Sequence, residues 1–227
     1  LNTNKWFSEK LKFKSVIYSR NTKSDYDKSK SVEESVTSEN NMYAIQAGLE
    51  NKNKFSFNSL NFHYHNYDRD YRETGKTDTY NSESLVAKFE SERKISNGLS
   101  FGYGSEYKYD WGNFSTTTFT SQTKGHVNNF GLYGNVGYSL NENQLFSAHV
   151  RNDDHKQTGG NQTHKYSFTQ KYDNVKIILT HSTGLRNPSL YELYGSSEYG
   201  YSANNLINPE KSETNEIFGQ YNFSENL

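Results

Sequence analysis

His63 and His65 stand two residues apart in the run NFHYH at 61–65. In an extended chain that spacing puts both imidazoles on one face, where they could share a metal such as zinc. No third ligand is fixed at a matching spacing, so a polar strand face is the plainer expectation. Two acidic clusters are further candidates, Asp25 with Asp27, and Asp153 and Asp154 with His155. Clustered carboxylates suit calcium, a hard cation that prefers oxygen. Their spacing matches no dedicated calcium loop, so calcium is an optional partner and solvated acidic loops are the alternative. No other cofactor is expected. Serine and histidine are plentiful, but no G-x-S-x-G, H-E-x-x-H or P-loop is present. The expectation is therefore a protein that is not an enzyme. Cysteine is absent, which excludes disulfides and thiolate metal sites.

The elements that would position these residues are strands. Residues 99–111 read LSFGYGSEYKYDW, with Leu99, Phe101, Tyr103, Tyr107, Tyr109 and Trp111 on one parity and Glu106, Lys108 and Asp110 on the other. Side chains alternate faces along a strand, so this is a long two-faced strand. Similar alternation appears at 42–50, 127–140 and 214–223. Ten strands are expected, at 5–19, 42–50, 55–70, 79–95, 99–111, 127–140, 145–151, 164–172, 175–183 and 214–223. In 55–70 the apolar parity changes between Phe57 and Leu60, which a bulge near Asn58 would reconcile.

Only 31% of the 227 residues are hydrophobic, yet aromatics reach 15%. The aromatics argue against disorder. A polar average with alternating aromatics suits a membrane β-barrel, where only every second residue meets lipid. No apolar run is long enough for a membrane helix, and a net charge of -1 gives no reason to expect nucleic acid.

The connections differ in length at the two strand ends. Short ones lie at 51–54, 96–98, 141–144 and 173–174, rich in Asn, Gly and Asp, residues that tolerate tight turns. Long ones are expected at 20–41, 71–78, 112–126, 152–163 and 184–213, with 32–40 a polar loop or, alternatively, a short helix. A meander with tight turns on one side and long loops on the other is the outer-membrane pattern. The fold class is thus all-β, an antiparallel up-and-down transmembrane barrel, with Leu99 near the tight-turn interface and Trp111 near the long-loop one.

Residues 145–221 carry a more specific pattern. HVRNDD at 149–154 ends one strand, a later strand runs into GLRNPSLYELYG at 184–195, and NPEKSETNE follows at 208–216. This resembles the barrel of a TonB-dependent outer-membrane receptor, most similar to the cobalamin-transporter branch. Arg151, Asp153, Asp154, Pro188, Leu190, Leu193, Tyr194, Gly195, Pro209, Glu210, Lys211, Ser212 and Glu216 occupy matching positions. The run before Pro209 keeps only one of the two prolines usual there. The resemblance implies a larger barrel of about 22 strands, of which residues 1–227 are a partial domain without the plug or the barrel ends.

What the resemblance implies about function is an importer of a large, scarce nutrient in the outer membrane of a Gram-negative bacterium. Cobalamin is the first expected substrate and an iron–siderophore complex the next. The partners would be outer-membrane lipid, the ligand, and a TonB-type energy-coupling protein acting through the plug. Arg151, Asp153 and Asp154 would form a charge-paired strand end near the rim. Residues 188–195 would form a short helical turn over the lumen, started by Pro188 and ended by Gly195. Tyr191, Tyr194, Tyr199 and Tyr201 are the expected ligand contacts, because rigid amphipathic rings suit a large ligand. Alternatives are a passive porin or other outer-membrane barrel, and a soluble secreted glycan-binding β-protein.

Overall fold

The computed structural model describes residues 1–29, 32–117, 121–195 and 202–223. They form an 11-stranded sheet in which each strand is hydrogen-bonded to its neighbours in chain order. The strands are β1 (Asn2–Trp6), β2 (Leu11–Ser29), β3 (Val32–Lys52), β4 (Ser56–Glu73), β5 (Lys76–Lys94), β6 (Leu99–Thr116), β7 (Ser121–Asn141), β8 (Gln144–His155), β9 (Gly159–Tyr172), β10 (Val175–Arg186) and β11 (Glu210–Tyr221), with one helix, α1 (Leu190–Tyr194), between the last two. Every adjacent pair is antiparallel. No helix among the described residues is long and apolar enough to cross a membrane.

The registers join the alternating residues into two continuous faces. Ile17, Ile45, Tyr64, Leu85 and Tyr109 form one cross-strand row. Leu99, Tyr138, Phe146, Phe168, Leu179 and Ile217 form another. These residues belong to one face, the outward one, and many of them are exposed. On β6 the apolar run from Leu99 to Trp111 covers about 40 Å of strand. Tilted as barrel strands are, that is a height near the ~25 Å apolar band of an outer-membrane barrel.

The band also slides along the strands. On β3 it lies at Ile45–Leu49, level with Ser105–Tyr109 of β6. On β10 it has dropped to Ile177 and Leu179, and Leu179 is level with Leu99. The shift is about one residue per strand, or ~3.3 Å along for every ~4.8 Å across, which is a tilt of about 35°. Barrel closure requires tilts of that size. Residues that share a membrane depth therefore do not share a ladder row.

Several sequence expectations change. The segment 5–19 is two strands, β1 and β2, joined by a tight turn in which the Ser8 hydroxyl accepts from the backbone N–H of Leu11 at 3.1 Å. The expected loops at 20–41, 71–78, 112–126 and 152–163 are mainly strand, so the hairpins stand tall; β3 alone has 21 residues. Trp111 is not a strand end, since β6 continues to Thr116. These upper segments are polar on the outward side, as at Asn41, Glu39 and Thr37. Strand pairing needs only backbone groups and a neighbour, so it persists where apolar alternation stops. The β4–β5 turn is tight, with Gly75 at φ 74°, which glycine adopts without strain. The ladders of β4 run without a register shift past Asn58, so no bulge exists there. Phe57 instead lies on the opposite face from Leu60 and Phe62.

The inner face carries α1. Gly112 and Gly125 pair across β6 and β7, and the helix sits on them. A Cβ at Gly125 would fall 2.0 Å from the Tyr194 ring, and one at Gly112 would fall 3.3 Å from Leu190 Cδ1. Leu193 is 2% exposed, with Phe114 and Val127 the buried wall residues of the same end. A small apolar core of this sheet thus lies under α1, while much of the remaining inner face is polar.

Candidate functional site

The inner face around α1 is the most elaborated part of the molecule. At its outer corner Arg186 ends β10. Its Nη2 and Nε bond the Glu210 carboxylate at 2.6 and 3.1 Å, and its Nη2 and Nη1 bond Glu192 at 3.0 and 3.2 Å. Glu192 closes a capping box: its carboxylate accepts from the Ser189 backbone N–H at 2.7 Å, and the Ser189 hydroxyl accepts from the Glu192 N–H at 3.2 Å. Such a box satisfies two orphan donors at a helix start. Arg186 and the two Ser189 hydrogen bonds hold the Glu192 carboxyl at about 2, well below the ordinary carboxylate range. One guanidinium thereby ties the end of β10, the start of β11 and α1 together.

Neighbouring turns hold the same segment. Thr158 Oγ1 donates to Asn187 Oδ1 at 2.9 Å, and Gln157 Nε2 donates to the Asn205 carbonyl at 3.2 Å. The backbone N–H of Asn204 donates to the Glu192 carbonyl at 2.9 Å. Aromatic contacts complete the seat. Tyr191 lies 5.7 Å from the Tyr80 ring and 5.4 Å from the Phe114 ring.

Below α1 the wall carries paired charge. Arg151 holds Asp153 through two bonds of 2.7 Å and reaches Glu106 at 2.9 Å. Asn129 also donates to Asp153, at 2.6 Å. The guanidinium lies over the Tyr133 ring at 5.5 Å. Gly131 makes room for it, since a Cβ there would fall 2.4 Å from Nη2. Lys88 pairs with Glu90 at 2.9 Å and Lys108 with Asp110 at 2.8 Å. Between α1 and this wall is a cavity of about 480 Å³ lined by His65, Ser84, Lys108, Asp110, His155 and Tyr191, among others. Glu83 and Asp110 stand against Lys108 in its lining, beside side chains that donate and accept hydrogen bonds, so it suits polar matter.

The structure distributes the sequence candidates unevenly. Arg151 and Asp153 form an ion pair on the inner face, whereas Asp154 points to the opposite, outward face, in register with Phe130. Asp25 is elsewhere, on the β2–β3 hairpin, accepting from Thr37 Oγ1 at 2.7 Å. The side chain of Asp27 lies outside the described residues. Asp153 and Asp154 therefore do not converge, and no group of three metal-ligating His, Cys, Asp or Glu side chains occurs among the described residues. His63 and His65 share the inner face, opposite Val86 and Ser84.

Pro188 is buried but precedes the helix rather than starting it. Ser189 is the N-cap, and Gly195 closes the helix with an ordinary φ of -57°. Leu190, Leu193 and Tyr194 face the wall. Tyr191 and Tyr194 are half-buried and engaged in packing; Tyr199 and Tyr201 lie outside the described residues. Pro209 leads into β11, where Lys211 pairs with Leu185 and Glu216 with Thr180. The sequence reading missed Arg186, Ser189, Glu192, Glu106, Tyr133 and the Gly112–Gly125 seat. The S-x-x-E spacing at 189–192 was a readable signal; the others are long-range.

A family model described as TonB dependent receptor-like, beta-barrel, matches residues 2–226. Solved structures with a similar fold include the siderophore receptor PirA from Pseudomonas aeruginosa, at 12% identity and TM-score 0.60 over 97% of this chain and 48% of that one. The copper transporter OprC matches at 10% identity and TM-score 0.74, over 98% of this chain and 42% of that one. The ferric-catecholate import receptor Fiu from K12 E. coli matches at 8% and 0.68, over 97% and 53%. The chain thus spans about half the length of these proteins.

Proposed function

The chain belongs to the TonB-dependent receptor-like β-barrel family, and from that membership we propose that it supplies wall and outer loops to an energised importer. Its place is the outer membrane of a Gram-negative bacterium, the compartment of this family's barrels. The outward apolar band meets lipid, and the charged inner wall faces a plug and the passage beside it. No covalent bond of the cargo changes; the work is binding and gated release, driven by a TonB-type partner acting through the plug.

The cargo we propose is a large, scarce nutrient, cobalamin or an iron–siderophore complex. The pattern at 184–216 favours the first; the siderophore receptors of similar fold favour the second. The observation that carries the reading is the clamp of Arg186, Glu192 and Glu210, which fixes the segment over the inner face where a loop would otherwise sway. A held loop loses less entropy on meeting a ligand. Tyr191, Tyr194, Tyr199 and Tyr201 remain its proposed aromatic contacts.

The complete reading frame, expressed in a strain lacking its own receptors, tests this. Uptake of labelled cobalamin or ferric siderophore should require the coupling protein and collapse when the proton gradient is dissipated. Uptake that persists without coupling would instead make the barrel a passive pore.

A further inference from the structure

Two histidines that the sequence keeps 17 residues apart meet on the outward face. His164 and His181 present their Nε2 atoms to each other at 3.3 Å, with ring centroids 5.4 Å apart. The register causes this: His181 is the direct partner of Tyr166, which puts His164 on its diagonal. Tyr166 stabilises both rings, stacking on His181 with planes 7° apart and lying 5.1 Å from His164. Both imidazoles are half-exposed. They stand just above Phe168 and Leu179, at the upper margin of the apolar band, where water reaches them.

We propose that His164 and His181 form a two-imidazole site for a divalent transition-metal cation on the outer wall of the barrel. The bite is right. Two cis nitrogens bound at about 2.0–2.1 Å lie about 3.0–3.4 Å apart. The second sphere is right as well. Asn215, the β11 partner of His181, has Oδ1 2.9 Å from His181 Nδ1. An amide oxygen only accepts, so His181 carries its proton on Nδ1 and leaves the Nε2 lone pair free. Ligating histidines are oriented by such a bond. His164 joins by moving its own proton to Nδ1, so the pair binds as neutral imidazoles. Glu213, with Oε1 4.0 Å from His181 Nδ1, adds negative charge at the rim. Water fills the remaining positions. Imidazole donors and the general affinity order favour Cu²⁺, with Zn²⁺ and Ni²⁺ weaker. The pair is distinct from His63 and His65, which face inward.

The test uses the complete receptor containing this chain, purified in detergent and stripped of metal with a chelator. Cu²⁺ is titrated by calorimetry, and pulsed electron paramagnetic resonance counts the coupled imidazoles. The expected result is a site with two imidazole couplings. His164→Ala and His181→Ala should each remove one coupling and weaken the site at least about tenfold, and Asn215→Ala should weaken it about tenfold. His63→Ala should leave it unchanged. Unmodified protein gives an independent reading should a variant misfold: Zn²⁺ should shield His164 and His181 from diethyl pyrocarbonate. Wild-type copper affinity in the double variant His164→Ala/His181→Ala, or equal modification of both histidines with and without Zn²⁺, overturns the proposal.

Discussion

Arg186 and Glu210 are the last partners of the β10–β11 ladder, and their side chains close it with a two-point bridge of 2.6 and 3.1 Å. The same guanidinium holds Glu192, so a strand end becomes the anchor of the segment between the strands.

Removing that anchor should loosen the segment and spare the sheet. Arg186→Ala leaves two carboxylates facing each other and α1 held only by its cap and wall contacts. Amide exchange should speed up over 189–195 and stay unchanged in β9 and in the lower half of β10. Because the pair is solvent-exposed, global stability should change little. Uniformly faster exchange along β10 would contradict an anchoring role.

Acid should act on the same clamp late. The Glu192 carboxyl titrates at about 2 when folded, against an ordinary value of 4.5. A lowered folded value means that the stabilisation is complete above the ordinary value and fades as pH falls through the folded one. Amide protection of α1 should therefore hold from neutral pH to about 4.5 and be lost between there and about 2. Loss of protection already at pH 6 would show that another group governs the loop.

Gly125 should tolerate no side chain. A Cβ there would fall 2.0 Å from the Tyr194 ring. Gly125→Leu should unseat Tyr194 and Leu193 together, at about 1–3 kcal/mol in denaturant unfolding from micelles. Gly160, whose Cβ position meets nothing within 4 Å, is the control, and Gly160→Ala should be nearly silent. Equal effects from both would remove the case for a glycine seat.

The assignment of faces predicts a depth-dependent asymmetry. Leu132 is outward, 52% exposed and level with Ser105, the middle of the band on β6. Leu132→Arg should destabilise the lipid-embedded barrel by about 2–4 kcal/mol. Asn135→Arg, three residues along β7 on the inner face, should cost far less. Reversal of that order in liposome unfolding would turn the sheet inside out.

Much of the sheet was legible because strand alternation is local. From Leu99 to Trp111 the parity of aromatic and charged residues named both faces before any partner was known. The tight turns at 96–98 and 173–174 were equally readable, since Gly and Asp advertise the dihedral angles they accept. The upper halves of the hairpins were not. Residues 32–40 carry no apolar alternation, and their strand form depends on β2 and β4 lying alongside.

Strand faces, turn chemistry and the pattern at 184–216 that resembles the family were all legible along the chain. Which side chains meet was settled by the tertiary structure, through strand length and register. It carried β8 on to His155, past the expected strand end at 151, and so set Asp153 and Asp154 on opposite faces. It joined Arg151 to Glu106 and His164 to His181, because cross-strand register brings residues far apart in sequence within bonding reach. Periodicity belongs to one strand and register to two, so the faces could be read along the chain and the sites could not.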